Sequence, residues 1–341
     1  MTDLVRCVKL PLGVLVALVG AGQLMVVNLQ RADANSPYWT RSTVATDGLT
    51  SLQGIAFVGG GKGWMIADRN QLLTTEDGGS SWRISSTQFP GPDAVISKLS
   101  FQADRSGWAA GSRNRSPAIW RTTDGGNTWA IGHEWLPKTE GESGALLDVH
   151  FVDQSRGWAV GFHRAASLIV ATVDGGAHWQ TQYAGNEISG QFSAIRFADA
   201  ERGFALSPNG VLESDEGGRT WRLAHFDPTG ILNDLVVNGP HDAWVAGGWG
   251  TLVHRSKRGW SLVHVPAANG KFLGWITFVN PRLGWVSGPA GDILTTRNGG
   301  DTWTVDGASS NFPNGDVICA SGSRVFRIVK PASVYFHDVS P

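Results

Sequence analysis

Tyr183 and Glu187 are a tyrosine–carboxylate pair spaced closely enough to suggest chemistry. A tyrosine paired with a glutamate is the nucleophile of sialidase-type glycoside hydrolases, which also need a separate acid/base carboxylate and arginines that hold the sugar acid. Both residues fall on one short predicted loop, and Tyr38 and Tyr335 lie near the two ends of the chain. We therefore expect a protein without enzyme activity. The alternative function is that of a sialidase-like glycoside hydrolase, or of a carbohydrate-binding propeller, a ring of four-stranded β-sheets.

Other catalytic and metal-binding patterns are missing from the sequence. The nine histidines show no His-x-His or i, i+4 pairing, and no Gly-x-Ser-x-Gly or phosphate-binding loop occurs. Cys7 and Cys319 show neither C-x-x-C nor metal-type spacing. We therefore expect no metal and no cofactor.

Arginines provide a second candidate for chemistry. Arg69, Arg113, Arg115 and Arg164, the last beside His163, are the polar residues that other patterns explain least. Guanidinium groups hold carboxylates through paired hydrogen bonds, so several on one surface suit a carboxylate or an acidic peptide segment. Ordinary solvated loop charges are the alternative. A binding surface requires that the fold bring these arginines close together, whereas solvated loop charges do not.

The surrounding elements belong to a repeat. The string TTEDGGSSWRI at residues 74–84 recurs in copies that end at Trp82, Trp129, Trp179, Trp221, Trp260 and Trp303. Neighbouring copies are 39 to 50 residues apart, the length of one four-stranded propeller blade. Glu216 and Asn298 replace the aspartate in two copies, and the copy ending at Trp260 is shortened.

A second motif is in phase with the first. It has alternating apolar residues that end in Phe, then a polar turn and Gly-Trp-x-x-Gly, as in LSFQADRSGWAAG. Alternation of this kind predicts strands. The first blade should have strand A over residues 55–58, strand B over 63–68, strand C over 72–75 and strand D from Trp82. The recurring string is then the hairpin between strands C and D, with glycines for the tight turn.

The number of blades follows from the two ends of the repeat region. Trp39 precedes Trp82 by one period but lacks the string, and residues 316–341 supply strands A to C without a final tryptophan. The N-terminal strand should therefore join the last blade and close an all-β, seven-bladed β-propeller, which removes open sheet edges. With 45 glycines, 17% charged residues and a net charge of −1, the chain is too apolar for disorder and has no general attraction for nucleic acid. We expect a monomer.

These elements place the arginines in the loops between strands B and C of blades 1 to 3, on the face opposite the recurring strings. Trp249 joins the candidate partner-binding residues because only Trp135, Trp249 and Trp275 lie outside the repeat pattern. A carbohydrate-stacking surface would need those three to cluster. A second set occupies strand A near the channel mouth, either bridging blades or binding a ligand, and consists of Lys98, Asp148, Asp234 and Asp316.

The N-terminal segment differs in composition from the rest. Arg6 and Lys9 precede an apolar run over residues 10–27, and Ala32-Asp33-Ala34 fits the small-x-small pattern of a signal-peptidase site. We expect residues 1–34 to be a helical signal peptide or membrane anchor and residues 35–341 to be the propeller. The propeller would then be exported, with membrane association through residues 10–29 if the segment is not cleaved.

The combined motifs, best preserved from Phe101 to Trp129 and from Phe151 to Trp179, resemble those of the photosystem II stability/assembly factor family. The C–D string also resembles the BNR repeat, or Asp-box, of sialidases. The family resemblance covers about residues 37–330. It implies a seven-bladed propeller on the periplasmic or lumenal side of a membrane that is not an enzyme. It also implies that an arginine-rich patch binds a newly made membrane-protein client.

Overall fold

The chain divides into two units in the computed structural model, residues 1–38 and residues 39–341. The structure describes residues 14–19, 23–28, 39–44, 49, 51–59, 61–91, 93–103, 105–135, 142–164, 166–185, 190–287, 293–305, 315–329 and 333–339. No helix among these residues has the length and apolar character that a bilayer crossing requires.

The described part of the first unit is a pair of strands. Val14–Val19 pairs antiparallel with Gln23–Asn28. The signal or anchor helix expected over residues 1–34 stays a prediction. The predicted cleavage site at residues 32–34 lies outside the described residues.

The second unit is a ring of seven sheets, each with strands in the spatial order A, B, C, D, and the sheet of blade 1 has a fifth strand beyond D. Blade 1 has Leu52–Val58, Lys62–Ala67, Leu72–Thr75 and Ser81–Ile84. Blade 2 has Val95–Phe101, Gly107–Arg113, Ser116–Thr122 and Ala130–Glu134. Blade 3 has Gly144–Phe151, Gly157–His163, Ala166–Thr172 and Gln180–Gly185. Blade 4 has Ala194–Phe197, Gly203–Ser207, Gly210–Ser214 and Arg222–Leu223.

The remaining blades follow the same order. Blade 5 has Leu232–Gly239, Asp242–Gly247, Leu252–Ser256 and Gly259–Leu262. Blade 6 has Trp275–Asn280, Leu283–Ser287, Ile293–Thr296 and Thr304–Val305. Blade 7 has Gly315–Ser321, Arg324–Val329, Ser333–Asp338 and, as strand D, Thr40–Arg41. Short 3-10 turns lie at Asp68–Asn70, Gly248–Gly250 and Pro266–Ala268. The predicted seven-bladed propeller is confirmed.

The ring closes as predicted and with one additional contact. Thr40–Arg41 pairs antiparallel with Ser333–Asp338, so the N-terminal strand completes blade 7. The next residues, Thr43–Val44, pair parallel with Ser81–Ile84 and give blade 1 a fifth strand, which the sequence did not predict. Ser42 lies between these strands and its hydroxyl donates to the Gly79 carbonyl at 2.7 Å. One short segment therefore joins both blades at the closure.

The recurring strings lie beside the turns between strands A and B. In five blades a glycine N–H of the string donates to a carbonyl of the A–B turn in the same blade, as from Gly125 to Arg105 at 2.9 Å. We call this side the box face. The turns between strands B and C, with the connections from strand D to the next strand A, form the opposite B–C face.

Side-chain hydrogen bonds stabilise each string. In blade 2 the Asp124 carboxylate accepts from the Thr128 N–H at 2.9 Å and from the Thr128 hydroxyl at 2.6 Å. Thr122 accepts from the Gly126 N–H at 3.0 Å and donates to Asp124 at 2.8 Å. In blade 6 Asn298 replaces the aspartate and keeps both contacts with Thr302, donating to its hydroxyl through the side-chain amide. The aspartate is therefore a turn-forming residue.

Aromatic contacts join neighbouring blades. The indole of Trp64 in blade 1 stacks on Phe101 of blade 2, with ring centroids 3.6 Å apart, and donates to the Gly125 carbonyl at 2.9 Å. Trp108 and Trp158 repeat this pattern toward blades 3 and 4. We call this contact the tryptophan clasp.

Both glycines of the Gly-Trp-x-x-Gly motif are required by close contacts. A Cβ at Gly107 would lie 2.4 Å from the ring of Phe101. A Cβ at Gly111 would lie 1.9 Å from the Val95 carbonyl oxygen, because a β-bulge brings strand A close at that point. The motif therefore belongs to the packing of strand B against strand A.

Asp124 provides a test of the structural role of the strings. Hydrogen bonds from Thr128 lower the pKa of Asp124 from 3.8 to about 2, so its contribution to stability is complete above about pH 4 and is lost as pH falls toward 2. Asp124→Ala should lower the free energy of unfolding by about 1 kcal/mol at neutral pH, and Asp124→Asn, which imitates Asn298, should cost less. Urea unfolding between neutral and acid pH measures both effects. Equal losses in the two variants would contradict the assignment.

The closure provides a second test. A protein of residues 45–341 lacks strand D of blade 7 and the fifth strand of blade 1, so it should aggregate or lose its cooperative melting transition. A protein of residues 39–341 keeps both strands and is the matched control. Thermal melting followed by light scattering compares the two proteins, and similar transitions would show that the N-terminal strand does not close the ring.

Candidate functional site

The candidate arginines lie at turn tips on the B–C face. Arg69, Arg115 and Arg164 are exposed and belong to the B–C turns of blades 1, 2 and 3. Each has a positive φ, 57° at Arg69, 64° at Arg115 and 55° at Arg164, and so does Trp249 in the B–C turn of blade 5, at 57°. This backbone region favours glycine, and large side chains adopt it at a cost in energy. At these four turn positions the chain thus has large side chains where the backbone conformation favours glycine.

The turn in blade 2 shows the departure most clearly. Asn114 and Arg115 are the two residues between the paired Arg113 and Ser116, and both have positive φ. Two-residue hairpin turns of this kind prefer Asn-Gly. Arg115 therefore occupies the position that usually holds glycine. Backbone strain retained in this way is often associated with function.

Ion pairs divide the arginines into two groups. Arg113 pairs with Glu134 at 2.7 Å, and Arg164 pairs with Glu142 at 2.9 Å. Neither Arg69 nor Arg115 has an ion-pair partner in the described part of the chain. Of the four arginines predicted to form an arc, two are therefore in ion pairs and two have no ion pair among the described residues. The sequence did not indicate Glu134 or Glu142 as partners, because neither lies close to its arginine in the chain.

His163 lies at the end of strand B in blade 3. Its burial and the nearby Arg164 charge lower the pKa of the imidazole. His163 is therefore neutral at physiological pH and adds no positive charge to the arginines. It remains beside them as an uncharged polar group.

Trp249 belongs to an exposed apolar patch. The side chain of Trp249 is 71% exposed, Ile231 is 59% exposed and Phe272 is 48% exposed. Backbone hydrogen bonds hold their segments together, from Gly248 to the Ile231 carbonyl and from Gly250 to the Lys271 carbonyl. Sequence reasoning missed Ile231 and Phe272, since both lie in connections outside the repeat. This patch is on blade 5 and its connections, separated along the ring from the arginines of blades 1 to 3.

The three tryptophans outside the repeat do not form one surface. Trp135 packs against the core at blade 2 and lies edge-on to His133, with ring centroids 4.3 Å apart. Trp275 lines the axial channel, and Trp249 lies at a turn tip. The stacking cluster needed for a carbohydrate surface is therefore absent from these three residues.

Tyr183, the tyrosine considered for glycosidase chemistry, is not among the residues that line the channel. Tyr183 lies on strand D of blade 3 and packs edge-on against Phe192, with centroids 5.5 Å apart. Glu187 lies outside the described residues. In the described part of the chain, no three His, Cys, Asp or Glu side chains converge in a way that could hold a metal ion.

The strand A residues predicted near the channel separate into different roles. Asp148 accepts a hydrogen bond from the Ile195 N–H of blade 4 at 2.9 Å, and Asp234 accepts one from the Ile276 N–H of blade 6 at 3.0 Å. Both therefore bridge blades. Asp316 does not occupy the equivalent position, because it is the extra residue of the bulge between Gly315 and Val317. Lys98 lines the channel.

Comparison with known proteins assigns the chain to a family. The model of the photosynthesis system II assembly factor YCF48 family matches residues 31–133 and 131–230, more than half of the sequence. The chain belongs to this family. The region matched by the YCF48 family model includes blades 1 to 4, where the three tryptophan clasps occur.

Individual relatives extend the similarity beyond blade 4. The photosystem II assembly protein Ycf48 of Synechococcus sp. (strain JA-3-3Ab) is 26% identical, covering 81% of this chain and 94% of the relative. The chloroplastic photosystem II stability/assembly factor HCF136 of Arabidopsis thaliana is 25% identical, covering 84% and 75%. The recognition of the assembly factor family from the sequence motifs is thereby confirmed.

Solved structures share the fold. A structure of YCF48 bound to D1 peptide is 20% identical with a TM-score of 0.69, covering 91% of this chain and 97% of that chain. A virginiamycin B lyase from Staphylococcus aureus with quinupristin is 13% identical with a TM-score of 0.70, covering 89% and 99%. At these identities the likeness concerns the fold alone.

Substitution of Arg115 tests the backbone strain. Arg115→Gly should raise the free energy of unfolding by about 0.5–1 kcal/mol, because relief of the left-handed conformation exceeds the greater flexibility of glycine in the unfolded chain. Arg83→Gly, in the regular strand D of blade 1, is the control and should destabilise the protein. Urea unfolding measures both variants, and a loss of stability in Arg115→Gly would mean that the turn is not strained.

Proposed function

We propose that this protein is a non-enzymatic assembly factor that works outside the cytoplasm and holds a membrane-protein client on its B–C face. Membership of the YCF48 family supports the assembly role. Support for a protein client comes from a relative whose structure is titled as YCF48 bound to D1 peptide. The observation that carries the choice of face is the display of Arg69 and Arg115 at strained turn tips, with no ion-pair partner in the described part of the chain.

The chemistry of these two side chains favours an acidic client segment. A guanidinium group forms paired, charge-assisted hydrogen bonds with a carboxylate, and exposed arginines on a rigid scaffold retain this capacity. Arg113 is only 26% exposed and its carboxylate partner is 11% exposed, so this pair supports the turn. Arg164 is 42% exposed and can contact a client at the edge of the same surface.

Trp249 supplies a different kind of contact on the same face. Its patch with Ile231 and Phe272 exposes apolar surface at three adjacent tips. Exposed aromatic side chains often contribute strongly to binding between proteins. We assign Trp249 to client contact as well.

Export follows from the same proposal. We assign residues 1–34 to a signal peptide or membrane anchor, with the propeller on the periplasmic or lumenal side. Relatives named as a chloroplastic factor and as a lipoprotein support a site of action outside the cytoplasm. Nothing in the placement of Tyr183 or of the three non-repeat tryptophans favours the glycosidase or carbohydrate-binding alternative.

Binding of a D1 peptide tests the proposal. The double variant Arg69→Gln/Arg115→Gln should bind the peptide roughly tenfold more weakly than the unaltered protein, since two charge-assisted contacts are lost. Arg83→Gln/Arg297→Gln removes the same charge from the outer edge and the box face and should bind normally. Fluorescence anisotropy at two salt concentrations measures affinity, which should fall as salt rises.

The possible results distinguish an error in the proposed binding surface from an error in the identity of the client. Equal binding by both double variants would show that the arginine tips are not the site. If no D1 peptide binds, affinity capture from solubilised membranes of the source organism compares the same variants. Recovery of identical membrane proteins by the unaltered protein and the Arg69/Arg115 variant would then overturn the proposal.

A further inference from the structure

The axial channel of the propeller forms a cavity among the described residues. It has a volume of about 850 Å3 and is lined by strand A of all seven blades. Small-molecule sites in proteins commonly have volumes of about 300–1,000 Å3. The channel is therefore large enough to bind a small ligand, and its lining decides which kind.

Three equivalent positions determine the charge of the lining. Strand A has a β-bulge in blades 1, 2, 3, 5 and 7, and the residue after the bulge is charged in three of these blades: Lys98, Asp148 and Asp234. All three line the channel. The same backbone feature thus presents one ammonium and two carboxylate groups.

The Asp148 carboxylate makes its hydrogen bonds and its ion pair with other residues of the channel wall. One oxygen accepts from the Val149 N–H at 3.0 Å, and the other accepts from the Ile195 N–H and pairs with Arg196. Asp148 is only 1% exposed. The ion pair with Asp148 holds Arg196 in the wall. Burial raises the pKa of the Asp234 carboxyl, whereas the charges of Arg196 and Lys98 both favour its ionised form.

Asp234 has the same backbone contacts but no equivalent cation. Its oxygens accept from the Leu235 N–H at 2.9 Å and from the Ile276 N–H at 3.0 Å. No lysine or arginine lies within ion-pair distance of it in the described part of the chain. Each carboxylate oxygen keeps a second lone pair that can accept a further hydrogen bond.

Lys98 cannot form the bridge that the two aspartates form, because an ammonium group accepts no hydrogen bond. It has no ion-pair partner among the described residues. Its positive charge acts on Asp234 of blade 5 and on Cys319 of blade 7. The Lys98 side chain lies beside Gly54 of the neighbouring blade 1, where a Cβ would be 3.9 Å from Lys98 Cδ. Asp234 and Trp275 line the same cavity.

We propose that the axial channel binds a small zwitterion of the α-amino acid type with an apolar side chain. The ligand carboxylate pairs with Lys98, its ammonium group pairs with Asp234, and its side chain packs against Trp275. A ligand with both charges matches one unpaired cation and one carboxylate without a cationic partner, whereas a simple anion or cation would leave the other group unsatisfied. This site is independent of the B–C face proposed for the client.

Three related compounds test which charges are needed. L-phenylalanine carries both charges, N-acetyl-L-phenylalanine lacks the ammonium group and L-phenylalaninamide lacks the carboxylate. Isothermal titration calorimetry should show binding of L-phenylalanine and roughly tenfold weaker binding of each derivative. Failure of the protein to bind L-phenylalanine, L-leucine or L-tryptophan would overturn the proposal. Equal binding of either derivative would overturn the role assigned to the missing charge and, with it, the zwitterion.

Variants connect the result to the named residues. Lys98→Met should bind L-phenylalanine about tenfold more weakly and should no longer distinguish it from the amide. Lys62→Met, on the box face, is the matched control and should bind normally. Asp234→Asn should lose the distinction from the acetyl derivative. If that variant does not fold, Lys98→Met alone decides, and unchanged binding by it refutes the site. The Arg69→Gln/Arg115→Gln variant should bind L-phenylalanine normally even if client binding fails.

Discussion

The contact of one tryptophan with the next blade is the interaction on which the arrangement of blades depends. In the first three interfaces the indole ring lies flat on a phenylalanine of the next blade, and its N–H donates to the first glycine of that blade's Asp-box. The same phenylalanine lies edge-on to the tryptophan of its own box. Dispersion, a hydrogen bond and turn geometry thus fix one spacing between blades, and strand pairing within a blade does not supply this contact.

The closure between blades 7 and 1 joins its two blades through different contacts. At the closure, Phe326 takes the place of the tryptophan and stacks on Phe57 with centroids 4.6 Å apart. Phenylalanine has no N–H, and the guanidinium of Arg324 donates instead to the Gly78 carbonyl at 2.7 Å and to Ser80 at 2.9 Å. Arg324 is in turn held by Asp338. A charged side chain therefore completes the ring at the interface where the two ends of the propeller meet.

The repeated features could be predicted from the sequence because the same motif recurs in several blades, and each copy supports the assignment of the others. Strand C of blade 1 was predicted at residues 72–75 and lies at Leu72–Thr75, and the closing strand followed from the isolated Trp39. The fifth strand at Thr43–Val44 has no repeat and was missed. The site was predicted less completely, because the ion pairs of Arg113 and Arg164 depend on Glu134 and Glu142, whose positions result from folding. The left-handed turns could have been suspected where arginine follows asparagine in a two-residue hairpin.

The turns on the two faces of the propeller differ in their hydrogen bonds and in their backbone conformation. On the box face, five A–B turns receive an N–H from the adjacent box, and the box side chains are bonded within the turn. On the B–C face, four turns hold an arginine or a tryptophan in a conformation that glycine would adopt more easily. Packing does not explain that choice, since Arg69, Arg115, Arg164 and Trp249 are all exposed. On the box face one described turn is of this kind, at Arg105 of blade 2 with a φ of 75°, so left-handed residues other than glycine are concentrated in the turns of the B–C face, and retained backbone strain of this kind often accompanies a binding site.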